Sequence, residues 1–278
     1  MKRAVVIIGA SHAAAQTSVS LRQGGYEGKI TVIGDEPDLP YHRPPLSKDF
    51  LSGNKVLDEI LIRPASGYEA ANIEMKLGVR VEAVDRTAKT VVTDAGETLS
   101  YDKLVLTTGA RIRRLPVPGE DLDGVYYLRD TKDVRAIKAE VKAGRKAVII
   151  GGGYIGLETA ASLKKQNMDV TVLEAMPRIL QRVTAPIMSE FYKRIHSEEG
   201  AFFAMNALVK FGHNRRGHAL QDTRHSFKHG DIHILLFERS RGFQADITTA
   251  DDNSFPARFY FGLNGANIFG VAQVIDPV

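Results

Sequence analysis

Apolar and polar positions fall into blocks that occur twice along the chain. Residues 3–36, RAVVIIGASHAAAQTSVSLRQGGYEGKITVIGDE, run as an apolar stretch, a small-residue turn, an amphipathic stretch and a second apolar stretch closed by an acid. Residues 145–175, RKAVIIGGGYIGLETAASLKKQNMDVTVLEA, repeat that order. Short apolar runs bounded by turn residues predict buried parallel strands, and the amphipathic stretches between them predict helices. Strand, turn, helix, strand is the opening half of a dinucleotide-binding unit. The pattern therefore predicts an α/β chain with two Rossmann-like domains, and two dinucleotides suggest electrons passed between them.

The turns say what each copy could hold. In the second, Gly151, Gly153 and Gly156 complete GxGxxG. The first glycine permits the tight turn, the second lets backbone approach a pyrophosphate, and the third lets helix pack on strand. Free N–H groups at the helix start then face the anion. Glu174 ends the following strand, where a carboxylate can hold both ribose hydroxyls and repel a 2′-phosphate, favouring NADH over NADPH. The first copy departs from the pattern, with Gly9, Ser11 and Ala14 in those places. Ser11 leaves less room for a pyrophosphate, but its hydroxyl can donate to a phosphate oxygen. Asp35 is the closing acid of this copy.

Composition narrows the chemistry. Net charge is +4, so nothing argues for nucleic acid, and Arg111, Arg113 and Arg114 form only a local basic cluster. The chain has no cysteine, which excludes a redox-active thiol pair of its own and cysteine-ligated zinc or iron–sulfur clusters. Met1-Lys2-Arg3 before AVVIIGA imitates a short signal peptide, but the run belongs to the first strand. No run approaches a transmembrane span. The expected compartment is the cytoplasm, with no membrane partner, and the residues do not set an oligomeric state.

Between the units lies DEPDLPYHRPPLSKDFLSG, residues 35–53, in which Pro37, Pro40, Pro44 and Pro45 forbid a helix and make a stiff loop that can hold Lys48 in one place. Further on, YDKLVLTTGARIRRLPVPG, residues 101–119, reads as a strand followed by a glycine-containing turn.

These segments, with YYLRD and RVTAPIMSEFYKRIHSEEG, make the chain resemble the FAD-dependent ferredoxin reductases of oxygenase systems, from residue 3 to about residue 200. These are the putidaredoxin, rhodocoxin and biphenyl dioxygenase reductases, within the pyridine nucleotide-disulfide oxidoreductase superfamily. The resemblance implies an FAD domain at 1–115, an incomplete NAD domain at 116–200 inserted into it, and a tail at 201–278. It implies that Gly9, Ser11 and Ala14 face the FAD pyrophosphate and Asp35 its ribose. Val81, Thr108, Gly109 and Arg129 would make further FAD contacts. Gly151, Gly153, Gly156 and Glu174 would take NADH. Lys48 would sit beside the flavin ring, paired with Glu158, two residues into the second helix. Such a pair, if desolvated, costs about 3–5 kcal/mol when one member is removed. The implied reaction is hydride transfer from NADH to FAD, then electrons to a small iron–sulfur ferredoxin. The alternative is an inactive remnant that binds FAD and NAD without turnover.

Past Gly200 the pattern changes. Five of the eight histidines (His213, His218, His225, His229, His233) crowd this stretch, but their spacing follows no metal-ligand template, so no metal is expected. Gly230-Asp231 follows SFKH rather than an apolar strand and does not count as the family's flavin-binding glycine–aspartate pair. The C-terminal part is expected to be truncated or aberrant. Two readings stay open: a shifted reading frame near codon 200, which is preferred, or a divergent domain of short strands at ILLFE, ADITTA, ARFYFGLN and IFGVAQVID.

Overall fold

A computed structural model describes residues 3–115, 120–205, 232–235 and 273–275. The chain begins β1 (Ala4–Ile8), α1 (His12–Gln23) and β2 (Lys29–Gly34), followed by a 3-10 turn at Pro44–Ser47 and the short α2 (Asp49–Ser52). Next come α3 (Ala65–Ala70), β3 (Ile73–Leu77), β4 (Val81–Asp85), β5 (Thr90–Thr93), β6 (Thr98–Ser100) and β7 (Lys103–Leu106). Then follow β8 (Val125–Tyr127), α4 (Thr131–Glu140), β9 (Lys146–Ile150), α5 (Tyr154–Lys164), β10 (Asp169–Glu174) and α6 (Pro186–Glu198). The last described strands are β11 (Phe202–Met205), β12 (Ile232–Leu235) and β13 (Gln273–Ile275).

The elements sort into two compact units. One comprises Met1–His42, Leu57–Ala110 and Gln244–Val278; the other comprises Arg43–Val56 and Arg111–Phe243. Arg43–Val56, the later part of the proline loop, belongs to the second unit.

In the first unit a sheet runs β13-β7-β1-β2-β3, parallel except for β13. β1 is apolar at every position because both of its faces are covered. Val5 and Ile7 pack with Ala14, Ala15, Val19, Ile30 and Val32 on one face. Val6 points the other way, to Ile33, Val91, Tyr101 and Leu104, beneath the antiparallel strands β4-β5-β6. The apolar run that imitates a signal peptide is thus the middle of a core. Arg22, near the end of α1, donates to the carbonyls of Tyr26, Gly28, Ala71 and Asn72, satisfying loop acceptors that the helix end and α3 would leave open.

The second unit has a parallel sheet in the order β11-β10-β9-β12-β8. β12 comes from the tail and pairs with β9 through Ile232↔Ala147 to Leu235↔Ile150. It overlaps the predicted ILLFE strand, and β13 overlaps IFGVAQVID. The other two tail segments, Gly230-Asp231 and the histidines from His213 to His229 lie outside the described residues.

Hydrogen bonds and an ion pair hold Arg43–Val56 in this unit. Arg43 Nη1 donates to the Arg129 carbonyl at 2.8 Å, Lys138 Nζ to the Phe50 carbonyl at 3.1 Å, and Ser162 Oγ to the Ser47 carbonyl at 2.7 Å. Glu158 receives both Ser47 and Lys48. Leu46, Phe50 and Leu51 are buried beneath these contacts.

Candidate functional site

Both glycine turns are closed by the same hydrogen bond. Gly9 N–H donates to the Ile33 carbonyl at 2.7 Å, and Gly151 N–H to the Leu173 carbonyl at 2.8 Å. Both first glycines have positive φ, +100° at Gly9 and +121° at Gly151, a region that side chains with Cβ rarely enter. A Cβ at Gly9 would lie 2.2 Å from the Thr107 carbonyl oxygen, and one at Gly156 would lie 1.9 Å from the Gly151 carbonyl oxygen. A missing side chain is therefore needed at Gly9 for the approach of the chain leaving β7, and at Gly156 for the approach of α5 to its turn.

The helices that leave these turns begin without side-chain caps. Ser11 is the N-cap of α1 and Gly153 the N-cap of α5; neither gives a side-chain cap hydrogen bond, and neither first turn carries an acid. By contrast, α4 opens with a full capping box in which Asp130 and Asp133 satisfy each other's backbone N–H groups. Uncapped N–H groups with no acid in the first helical turn suit an external anion. The residues present fit a dinucleotide pyrophosphate at both turns.

The acids behave differently. Glu174 accepts from Gly152 N–H at 2.7 Å and from Met176 N–H at 2.8 Å, so its carboxylate is fixed against the turn. In register the counterpart of Glu174 is Gly34, because Ile33 and Leu173 are the matched acceptors. Asp35 lies one residue further on and is exposed, while neighbouring Glu36 accepts from the Tyr41 hydroxyl. Ala14 is fully buried in the α1–sheet core, and Val81 opens β4 and packs beside Val6 and Leu104. Thr108 and Gly109 are exposed just beyond β7, with Gly109 at φ +66°. Thr107 is a residue that sequence reasoning missed: its hydroxyl donates to the carbonyls of Ile8 (3.0 Å) and Gly9 (2.9 Å). A threonine ending an apolar strand carries no periodic signal that would single it out.

Lys48 and Arg129 belong to the second unit. Arg129 precedes α4, where its N–H donates to Asp133 Oδ2 at 2.7 Å. Burial and the neighbouring Asp130 push the Asp133 carboxyl up, partly offset by that N–H. Lys48 joins the Pro44–Ser47 turn to α2, and its Nζ lies 2.8 Å from Glu158 Oε1. Ser47 Oγ donates to the other oxygen, Oε2, at 2.7 Å. Two sequence expectations need correction here. Glu158 is not two residues into its helix but at its fifth position, since α5 starts at Tyr154. Nor is the pair desolvated: the Lys48 side chain is 47% exposed and that of Glu158 29%, so its coupling is nearer about 1 kcal/mol than the buried-pair figure.

Among the described residues no group of three or more histidine, cysteine, aspartate or glutamate side chains could hold a metal ion, and no helix is long and apolar enough to cross a membrane.

Comparison with known proteins gives this geometry a lineage. The sequence profile of the pyridine nucleotide-disulphide oxidoreductases matches residues 3–237, which takes in β12. The chain is 48% identical over 205 residues to a ferredoxin–NAD(P)(+) reductase of Sphingomonas sp., covering 74% of this chain and 50% of that protein. It is 39% identical over 228 residues to the rhodocoxin reductase of Rhodococcus erythropolis, covering 82% and 53%. Among solved structures, the covalent putidaredoxin reductase–putidaredoxin complex superposes with TM-score 0.69 at 40% identity, over 73% of this chain and 50% of that one. The chain thus spans about half the length of the curated relatives it matches. The two uncapped glycine turns, the proline loop and these matches together place the chain in the pyridine nucleotide-disulphide oxidoreductase family.

Proposed function

We propose that this protein is an FAD-dependent NADH oxidoreductase that delivers electrons to a small ferredoxin-type iron–sulfur protein. The carrying observation is the Lys48–Glu158 ion pair at 2.8 Å, within the same unit as the GxGxxG turn. In this reading Gly9, Ser11 and Asp35 hold FAD, Ala14 packs α1 behind the turn, and Val81, Thr108, Gly109 and Arg129 are further contacts. Gly151, Gly153 and Gly156 hold the NADH pyrophosphate. Glu174 presents its carboxylate to the ribose, where it disfavours a 2′-phosphate by charge repulsion.

A flavin bound there would supply two-electron hydride chemistry on the nicotinamide side and single-electron chemistry on the acceptor side. The chain supplies position and charge. Lys48 brings one positive charge, held in place by Glu158, and no side chain is needed as acid or base. The partner class is supported by the relatives, whose names are ferredoxin and rhodocoxin reductases, and by the solved complex with putidaredoxin. The cytoplasm is the compartment that fits this chemistry.

Measuring FAD per purified polypeptide, with NADH-dependent dye reduction, tests the proposal. Near-stoichiometric flavin with turnover, lowered in Lys48→Ala, supports it. Flavin without turnover would favour a non-catalytic nucleotide-binding role, and a colourless protein would overturn the FAD assignment. Reduction of an added ferredoxin tests the partner separately.

A further inference from the structure

We infer that Ser47 and Ser162 are positioning residues: a two-serine clamp between the Pro44–Ser47 turn and α5 sets the direction in which Glu158 holds Lys48. The inference rests on the proposed function, because it concerns the same ion pair. Ser162 lies one turn after Glu158 on the same face of α5, four residues on, and both reach the Pro44–Ser47 turn. The Ser162 hydroxyl donates to the Ser47 carbonyl at 2.7 Å, fixing the backbone from which Lys48 departs. The Ser47 hydroxyl donates at 2.7 Å to Glu158 Oε2 and leaves Oε1 for Lys48 at 2.8 Å.

Each carboxylate oxygen therefore has its own donor. A half-exposed lysine on a four-carbon stem has many rotamers, and a single ion pair of this exposure fixes it weakly. A carboxylate already locked by a hydroxyl offers one oxygen in one direction, which narrows the space that Nζ samples. Ser47 and Ser162 are both buried, at 4% and 7% exposure, so water does not compete readily for these donors.

The test uses the full chain, with Ser47→Ala, Ser162→Ala, Ser47→Thr and Glu158→Gln. The first readout needs no cofactor: the acylation rate of Lys48 by acetic anhydride, followed by peptide mass spectrometry. Lys48 is expected to react several-fold faster in Ser47→Ala and Glu158→Gln, less so in Ser162→Ala, and at the wild-type rate in Ser47→Thr, which keeps the hydroxyl. The second readout is NADH-dependent dye reduction at full flavin loading. Ser47→Ala is expected to lose kcat by roughly tenfold at nearly constant KM for NADH, as expected for a group that acts on orientation rather than binding. Unchanged Lys48 labelling in both alanine variants would overturn the clamp. So would a loss of kcat that Ser47→Thr fails to restore. If the wild-type chain binds no flavin, the proposed function fails, and the labelling arm still decides the clamp.

Discussion

The two glycine turns share a closing hydrogen bond yet are braced by different groups. In the second unit a carboxylate does it: Glu174 accepts from Gly152 N–H, and α5 comes so close that Gly156 has no space for a methyl. In the first unit the register position of that acid is Gly34, where a Cβ would meet Ala10 Cβ at 2.3 Å. The brace comes instead from the neighbouring strand, through the Thr107 hydroxyl on the Ile8 and Gly9 carbonyls. The same backbone shape can thus be held from the acid side or from the strand side. The motif's third glycine is dispensable only where, as at Ala14, the helix stands off far enough to accommodate a Cβ.

Exchanging the third motif residues should break this symmetry most visibly. Gly156→Ala places a Cβ 1.9 Å from a backbone carbonyl oxygen, which no rotamer relieves. It should cost about 3 kcal/mol, the upper end for overpacking. Ala14→Gly removes one buried methyl and adds chain entropy within α1, and should cost about 1 kcal/mol. Urea midpoints measured by circular dichroism compare the two, and equal costs would mean that both helices sit at the same distance from their strands. Gly9→Ala should fall between them, at about 2 kcal/mol, because positive φ and the Thr107 carbonyl both oppose it. The braces themselves come next. Thr107→Val should cost about 1 kcal/mol through the loss of one O–H donor shared between two carbonyls, whereas Glu174→Ala removes the acceptor of two backbone donors for about 1–2 kcal/mol. If NADH affinity falls in Glu174→Ala but not in Thr107→Val, the acid contributes to binding as well as to bracing.

The smallest effect is one of pH. His196 lies in α6 with its ring 6.3 Å from that of Phe203, and burial lowers its pKa from the ordinary 6.5, opposed by Glu199. The folded chain then holds this ring neutral where the unfolded chain takes a proton. Stability from this group is complete above the ordinary value and declines as pH falls from there to the lowered value, beneath which it stays level. His196→Gln should flatten the acid side of the stability profile measured by thermal unfolding at pH 5 to 8.

The strands and helices around both turns were legible because their apolar periods are strong: β1, α1 and β2 fall within residues 3–36, and β9, α5 and β10 within 145–175. What escaped reading were contacts made across the chain by single polar atoms. Nothing in the pattern of α5 marks Ser162 as a donor to Ser47, because a serine on an apolar helix face looks the same whether its hydroxyl bonds its own helix or another segment. Nor does local composition reveal that Arg43–Val56 packs with residues more than eighty positions later, since the stiffness of the proline loop says where the chain turns and not what it leans on. The exposure of the Lys48–Glu158 pair was equally hidden, as burial depends on neighbours contributed by distant sequence.

The assignment of Arg43–Val56 to the second unit bears on how this molecule could be divided. A fragment cut at residue 115 carries Leu46, Phe50 and Leu51 away from the surface that buries them, and should be sticky for that reason. A fragment beginning at Arg111 lacks the same ribbon and leaves Glu158 and Ser162 of α5 without the partners that Ser47 and Lys48 provide. Supplying residues 43–56 as a separate peptide would restore those contacts, so the later part of the proline loop acts as a strap on the second unit.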